Sequence, residues 1–256
     1  MKINFSFRRL AKSLMWRFFT WSDMQFKLRS GITVPVSDRH EMATFQEIFI
    51  QQEYDDFLDL LPLPQTVLDL GCNSGYFSVL MLNRSLVKER GQPLPKMVLI
   101  DANEKAVNRA KSVLEASDAK ISAVFVHGLL GMKGQKSASF FLATASAESS
   151  AINRTKRAQQ IEVNCVDLQA LMADNFPAGL DLIKCDIEGG EEQLIRDWGE
   201  ELKQARALLI EWHGFQGTWE TFCGRLLELG FSLKMERPAG RYKNALFTRF
   251  DPLSGK

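Results

Sequence analysis

Short apolar runs recur along the chain at residues 66–70, 97–100, 121–126, 180–185 and 207–211. Each is too short for a helix and is dominated by aliphatic residues. They read as strands buried on both faces. Between them the apolar spacing turns helical, at residues 76–89, at 104–116, from about 191, and at 219–229. In the second of these, Ala106, Val107, Ala110, Val113 and Leu114 share one face. Alternating strands and helices predict a parallel sheet covered on both sides. The rhythm breaks after the third strand. Residues 137–144 and 160–166 read as extra strands around a polar stretch, 145–157, and a short helix follows at 168–173. The chain ends in two strand-like runs, 231–236 and 245–250, around Pro238-Ala239-Gly240, which predicts a hairpin.

Ahead of the first core strand the pattern differs. Phe26-Lys27-Leu28-Arg29 alternates, Ser30-Gly31 turns, and Ile32-Thr33-Val34 resumes, so a short hairpin is expected. Asp38 and Glu41 have the spacing of a capping box for a helix over 39–52. Met42, Phe45, Ile48, Phe49 and Gln52 fall on one of its faces. Residues 54–61 continue it or form a second helix, and Pro62 and Pro64 close the region. Residues 1–61 are expected to be an extension that lids a core domain spanning 62–256.

Composition narrows the classes. A chain of 256 residues can bury one large α/β core. A net charge of +1 gives no general attraction to nucleic acid. Cys72, Cys165, Cys185 and Cys223 form no CxxC pair, which fits a reduced, cytoplasmic protein. No apolar run is long enough to span a bilayer, and the N-terminus lacks the pattern of a secretory signal. Charge is uneven, however. Residues 1–30 hold Lys2, Arg8, Arg9, Lys12, Arg17, Lys27 and Arg29 against Asp23, interleaved with Phe and Trp. Leu10, Leu14 and Phe18 follow helical spacing. That helix either packs on the core or lies peripherally on an anionic membrane.

Two stretches carry the chemistry. In Asp181-Leu182-Ile183-Lys184-Cys185-Asp186-Ile187-Glu188-Gly189-Gly190-Glu191-Glu192 an apolar strand ends in two acids, Asp186 and Glu188, that face the same way. Carboxylates there are costly unless they bind or react. Lys184 shares their face and either neutralises them or works with them. Glu191 and Glu192 fall in a first helical turn, where negative charge suits the dipole, and read as structural. On the next strand Glu211 and His213 are again two apart. His213 is either a satisfied structural histidine or part of the cluster. The second stretch, Val67-Leu68-Asp69-Leu70-Gly71-Cys72-Asn73-Ser74-Gly75-Tyr76-Phe77-Ser78, is a strand, a glycine loop and a helix start. Its glycine spacing departs from the GxGxxG of dinucleotide folds. Asp101 ends the second strand, where an acid suits a ribose or caps a helix.

Together these stretches resemble the FkbM family of S-adenosylmethionine-dependent methyltransferases, over about residues 46–249. The resemblance implies a class I methyltransferase fold: a Rossmann-like, mostly parallel sheet with an antiparallel C-terminal hairpin. It implies S-adenosylmethionine as cofactor, met by Asp69, Gly71, Asn73, Gly75, Asp101, Ala102 and Asn103. The glycines would let the backbone approach the ligand. It implies methylation of a hydroxyl on a glycan or natural product, with Asp186, Glu188 and His213 as candidate bases. No metal is expected, since Lys184 would repel a cation. The competing classes are a nicotinamide-dependent oxidoreductase and a binding module without turnover.

Overall fold

A computed structural model describes residues 24–88, 93–117, 121–142, 159–240 and 242–249. The basic stretch over residues 1–23 and the polar segment 145–157 lie outside the described residues. The core strands are β3 (Thr66–Leu70), β4 (Lys96–Asp101), β5 (Ser122–His127), β8 (Leu180–Cys185) and β9 (Ala205–Trp212). They pair in parallel, and the terminal hairpin, β10 (Ser232–Ala239) and β11 (Tyr242–Thr248), joins them antiparallel. The order across the seven-stranded sheet is β10-β11-β9-β8-β3-β4-β5, so β11 is inserted between β9 and β10. This is the class I methyltransferase sheet expected from the sequence. The chain leaves β3 toward β4 and β5, then returns to place β8 on β3's other side. A crevice therefore opens between the strand ends of β3 and β8, where open α/β sheets bind ligands.

Period-two alternation assigns the two faces. Val67, Met97, Leu99 and Leu182 join one apolar cluster; Leu68, Leu70, Val98, Ile100, Ile183 and Cys185 join the other. On the first face lie α3 (Tyr76–Lys88) and α4 (Glu104–Glu115), the latter burying the five residues its pattern marked. On the second lie α5 (Leu168–Asn175), α6 (Glu191–Leu202) and α7 (Trp219–Glu228), through residues such as Met172, Trp198 and Phe222. The extra strands β6 (Ser137–Leu142) and β7 (Gln159–Asn164) form their own antiparallel pair beside the sheet.

The N-terminal hairpin pairs β1 (Met24–Lys27) with β2 (Thr33–Val36). Helix α1 (Arg39–Phe45) follows and widens into a π turn at Gln46–Ile50, then comes α2 (Asp55–Leu58). Periodicity predicted a regular helix to residue 52. The π turn instead brings Phe49 beside Phe45, ring centroids 4.9 Å apart, while Phe45 stacks on Phe26 at 4.4 Å. Val34, Phe45, Ile48 and Phe57 enter the same cluster as α3 and α4. Each such burial contributes roughly 1.5–3 kcal/mol.

Ion pairs tie this extension to the core, and the most buried carboxylate among them is Glu41, paired with Arg109 on α4. Glu41 accepts from Arg109 Nε at 2.6 Å and Nη2 at 2.7 Å, from the Ser37 amide at 2.7 Å and from the Tyr76 hydroxyl at 3.1 Å. The anticipated capping box is thus shifted by one residue. Asp38 caps the amides of His40 and Glu41, but Glu41 reaches back to Ser37. Burial pushes the Glu41 carboxyl up, and Arg109 and Ser37 bring it below its ordinary value. Glu41→Gln is expected to cost about 2 kcal/mol at neutral pH, the scale of hydrogen bonds to a charged group. Because the folded-state pKa is depressed, this stabilisation is complete above the unfolded value and disappears as pH falls. Denaturation midpoints of the two proteins should therefore differ at pH 7 and converge below about pH 4.

Candidate active site

Strand β3 ends at Leu70 and the chain turns sharply through Gly71 and Asn73, both with positive φ. A Cβ on Gly71 would stand 1.8 Å from the carbonyl oxygen of Asp186. The glycine is thus required for β3 and β8 to finish side by side. At Gly75 a Cβ would meet Ala110 and Leu114 at 2.9 Å. Gly75 admits α4 against the helix start and does not line the cavity. Gly71 and Asn73 do line that wall.

Asp69 also sits behind the cavity wall. Its side chain is fully buried and accepts from the Ser78 hydroxyl at 2.9 Å. It faces Lys184 across the β3–β8 pair, Nζ to Oδ1 3.5 Å, and does not reach the cavity. The alternation that puts Leu68 and Leu70 on one face leaves Asp69 under α3. Burial pushes its pKa up, partly offset by Lys184. Lys184 donates to the Gly71 carbonyl at 2.8 Å and stands 3.5 Å from both Asp69 Oδ1 and Asp186 Oδ2. Burial would lower its pKa, but Asp186 and Asp69 hold it above its ordinary value and charged.

Asp101 ends β4 on the opposite wall. Its Oδ2 accepts the Asn73 amide at 2.9 Å and its Oδ1 the Asn103 amide at 2.8 Å. Asn103, not Asp101, caps α4, accepting the Lys105 amide at 3.1 Å. A carboxylate has about four acceptor positions, so two remain. Burial raises the Asp101 pKa against the pull of those two amides. Ala102, Asn103, Gly128 and Leu129 continue this wall.

Across from it stand Asp186, Glu188 and Glu211. Glu188 has a left-handed backbone, φ +54°, in a residue that seldom adopts it. Such a conformation costs on the order of 1 kcal/mol and persists where surrounding structure holds it, commonly at active sites. His213 lies just behind, its side chain 1% exposed and off the wall. Its Nδ1 is 2.9 Å from Glu191 Oε1, which also accepts the Gly189 amide at 2.9 Å. Its Nε2 points at Glu188 Oε2 (3.4 Å), Asp186 Oδ1 (3.9 Å) and Glu211 Oε1 (3.9 Å), with no hydrogen bond to any of them. Burial pushes the imidazole pKa down, and Glu191, Asp186 and Glu188 carry it up to about 9. Glu211 is raised to about 8 by burial and by the charge of Asp186.

The two walls enclose a cavity of about 710 Å³. Sequence reading missed several of its residues. Glu47, Glu53 and Tyr54 come from the extension, and Arg237, Tyr242 and Asn244 from the terminal hairpin. Asn244 pairs with Glu211 in register and donates to Glu53 at 2.7 Å. Burial raises Glu47 and Glu53, with Asp186 adding to the first and Glu47 to the second. Glu191 sits in the first helical turn as expected and also holds His213.

The chain matches the family described as Methyltransferase FkbM domain over residues 69–233, which includes both strand ends and the glycine loop. None of the curated proteins matches it. Among solved structures it is similar to magnesium protoporphyrin IX methyltransferase (ChlM) from Synechocystis PCC 6803 with bound SAM. That likeness has 14% identity over 93% of this chain and 97% of the other, with a TM-score of 0.47. A methyltransferase from Pyrococcus furiosus is similar at 12% identity over 94% and 98%, TM-score 0.46. The 16S rRNA methylase ArmA is similar at 9% identity over 81% and 85%, TM-score 0.43.

Proposed function

We propose that this chain, which belongs to the FkbM methyltransferase family, transfers a methyl group to a hydroxyl of a glycan or natural-product acceptor. S-adenosylmethionine is its cofactor. One observation carries the finer reading: Asp101 on one wall and the Asp186–Glu188 pair on the other face a single cavity at the sheet's switch point. Ribose hydroxyls fit the two acceptor positions left on Asp101. Gly71 and Asn73 would hold the methionine end, and Ala102 and Asn103 the nucleoside side. Asp69 and Gly75 act behind this surface by shaping the loop.

When bound, the cofactor supplies a methyl group already activated by its sulfonium charge. The protein's remaining tasks are to align the acceptor oxygen and take its proton. We assign proton removal to Glu188. Asp186 and Glu188 both face the cavity, Asp186 beside Lys184 and Glu188 beside His213, but only Glu188 carries the strained left-handed backbone common at reacting groups, and His213 lies behind the wall. His213, held through Nδ1 by Glu191, stands behind the carboxylates and fixes their arrangement. Of the three bases the sequence offered, His213 is thus reassigned to positioning.

Glu47, Glu53, Asp186, Glu188 and Glu211 make the acceptor side strongly acidic. That repels phosphates and favours an uncharged or cationic small acceptor over nucleic acid. We take residues 1–61 as the extension that covers this side and 62–256 as the methyltransferase domain, in keeping with Glu47 and Tyr54 on the wall. Among the described residues no helix is long and apolar enough to cross a membrane. We place the enzyme in the cytoplasm, and the basic, aromatic residues 1–30 support a peripheral membrane contact. The oxidoreductase and binding-module readings find no support: the antiparallel hairpin and the acidic strand ends speak against them.

Calorimetry with S-adenosylhomocysteine tests the cofactor site. Asp101→Ala should weaken binding by about 1.5–3 kcal/mol, roughly ten- to a hundredfold. Equal affinity would remove Asp101 from the site. Mass spectrometry of cellular glycans, with and without the protein, should show one acceptor lacking a methyl group when it is absent.

A further inference from the structure

The acidic wall contains more than proton transfer requires. We infer that Asp186 Oδ1, Glu211 Oε1 and His213 Nε2 form a binding site for a divalent cation of the magnesium or manganese type.

Three observations converge. First, these three atoms come from the ends of the adjacent strands β8 and β9 and lie within 4.8 Å of one another. Both carboxylate oxygens stand 3.9 Å from the imidazole nitrogen. Ligands held at about 2.1 Å by one octahedral ion lie about 3.0–4.2 Å apart, so little closure is needed.

Second, His213 Nε2 is buried, aimed into the cluster, and without a hydrogen-bond partner. Buried polar atoms are rarely left so. The other ring nitrogen explains the orientation. Nδ1 meets Glu191 Oε1 at 2.9 Å, and Glu191 is itself fixed by the Gly189 amide. A carboxylate behind a histidine, setting its tautomer and turning the free nitrogen forward, is the usual support of a metal-binding imidazole.

Third, the charge is predominantly negative, and Arg237, the cation in the lining, is paired with Asp56. Five carboxylates line this part of the cavity. Lys184, the cation beside them, is committed to the Gly71 carbonyl and meets Asp186 through Oδ2, which leaves Oδ1 for the cluster. Lysine and cluster thus use different oxygens of Asp186, so the ammonium leaves a ligand atom open to an ion, and five carboxylates outweigh its charge. A donor set of carboxylates and one imidazole, with no thiolate, suits a hard ion that keeps open positions. On the methyltransferase reading such an ion would hold the acceptor's hydroxyl oxygen and make its proton easier for Glu188 to remove.

Mn²⁺ binding to chelator-treated full-length protein, followed by electron paramagnetic resonance, is the test. The wild type should bind one ion. Asp186→Asn and Glu211→Gln should each weaken binding at least tenfold. Glu191→Gln should weaken it about ten- to a hundredfold through His213 alone. Binding of S-adenosylhomocysteine by the same variants reports that the fold survives. A measurement on the wild type needs no variant: the protein has three histidines, and Mn²⁺ should broaden the His213 ring signals ahead of those of His40 and His127. A wild type that takes up no Mn²⁺, or ions that broaden another histidine first, would overturn the site. Failure to bind S-adenosylhomocysteine would instead count against the cofactor assignment and leave the ion result standing.

Discussion

Glu188→Gln is expected to lower kcat by about 10²–10⁴-fold, the usual contribution of a positioned general base, while cofactor affinity stays at the wild-type level. The substitution keeps the shape of the side chain and the same left-handed backbone cost. Folding stability should change by no more than the His213 contact contributes, and the main loss should appear in chemistry. The cofactor wall is built from Gly71, Asn73 and Asp101, which lie at the ends of other strands. Single-turnover methyl transfer with saturating cofactor separates the two effects. Wild-type kcat in the variant would remove Glu188 from proton transfer and hand the role to Asp186.

The sheet was largely legible because its signal is hydrophobic. Strands β3, β4, β8 and β9 are buried on both faces, so near-continuous apolar runs mark them whatever their neighbours are. The C-terminal hairpin was legible from its proline-glycine turn. The π turn at Gln46–Ile50 was not, because the same apolar residues satisfy a regular helix, and only the packing of Phe45 and Phe49 on Tyr76 decides between them.

The candidate site divides along a similar line. Asp101, Asp186, Glu188 and Glu211 could be found because an acid at the end of an apolar strand is conspicuous. Glu47, Glu53 and Asn244 could not. A polar residue facing a cavity leaves the same trace in periodicity as one facing water, and only tertiary contact between extension and hairpin brings them together. Asp69 and Gly75 were assigned to the ligand because they sit in the loop that meets it. Which side of a strand end faces a crevice depends on the partner strand, and the Lys184 pairing turns Asp69 inward.

That pairing sets the second large effect. Lys184→Met is expected to cost about 3–5 kcal/mol, a large part of the stability of a domain this size. The methionine fits the volume, so the loss comes from charge. Asp69 is fully buried, one of its oxygens has no hydrogen bond, and Lys184 is its counter-charge. Without the ammonium, Asp69 must stay charged in an apolar setting or take up a proton. The Gly71 carbonyl also loses its donor, which loosens the loop that meets the cofactor. Asp69→Asn alone should cost less, since Lys184 keeps Asp186 and the Gly71 carbonyl. The combined variant Asp69→Asn, Lys184→Met should recover part of the single Lys184 loss, because the buried charge that made it severe is gone. Urea denaturation of the four proteins gives the coupling energy directly. If the two single losses simply add, the lysine stabilises through packing, and the ion pair is incidental to the fold.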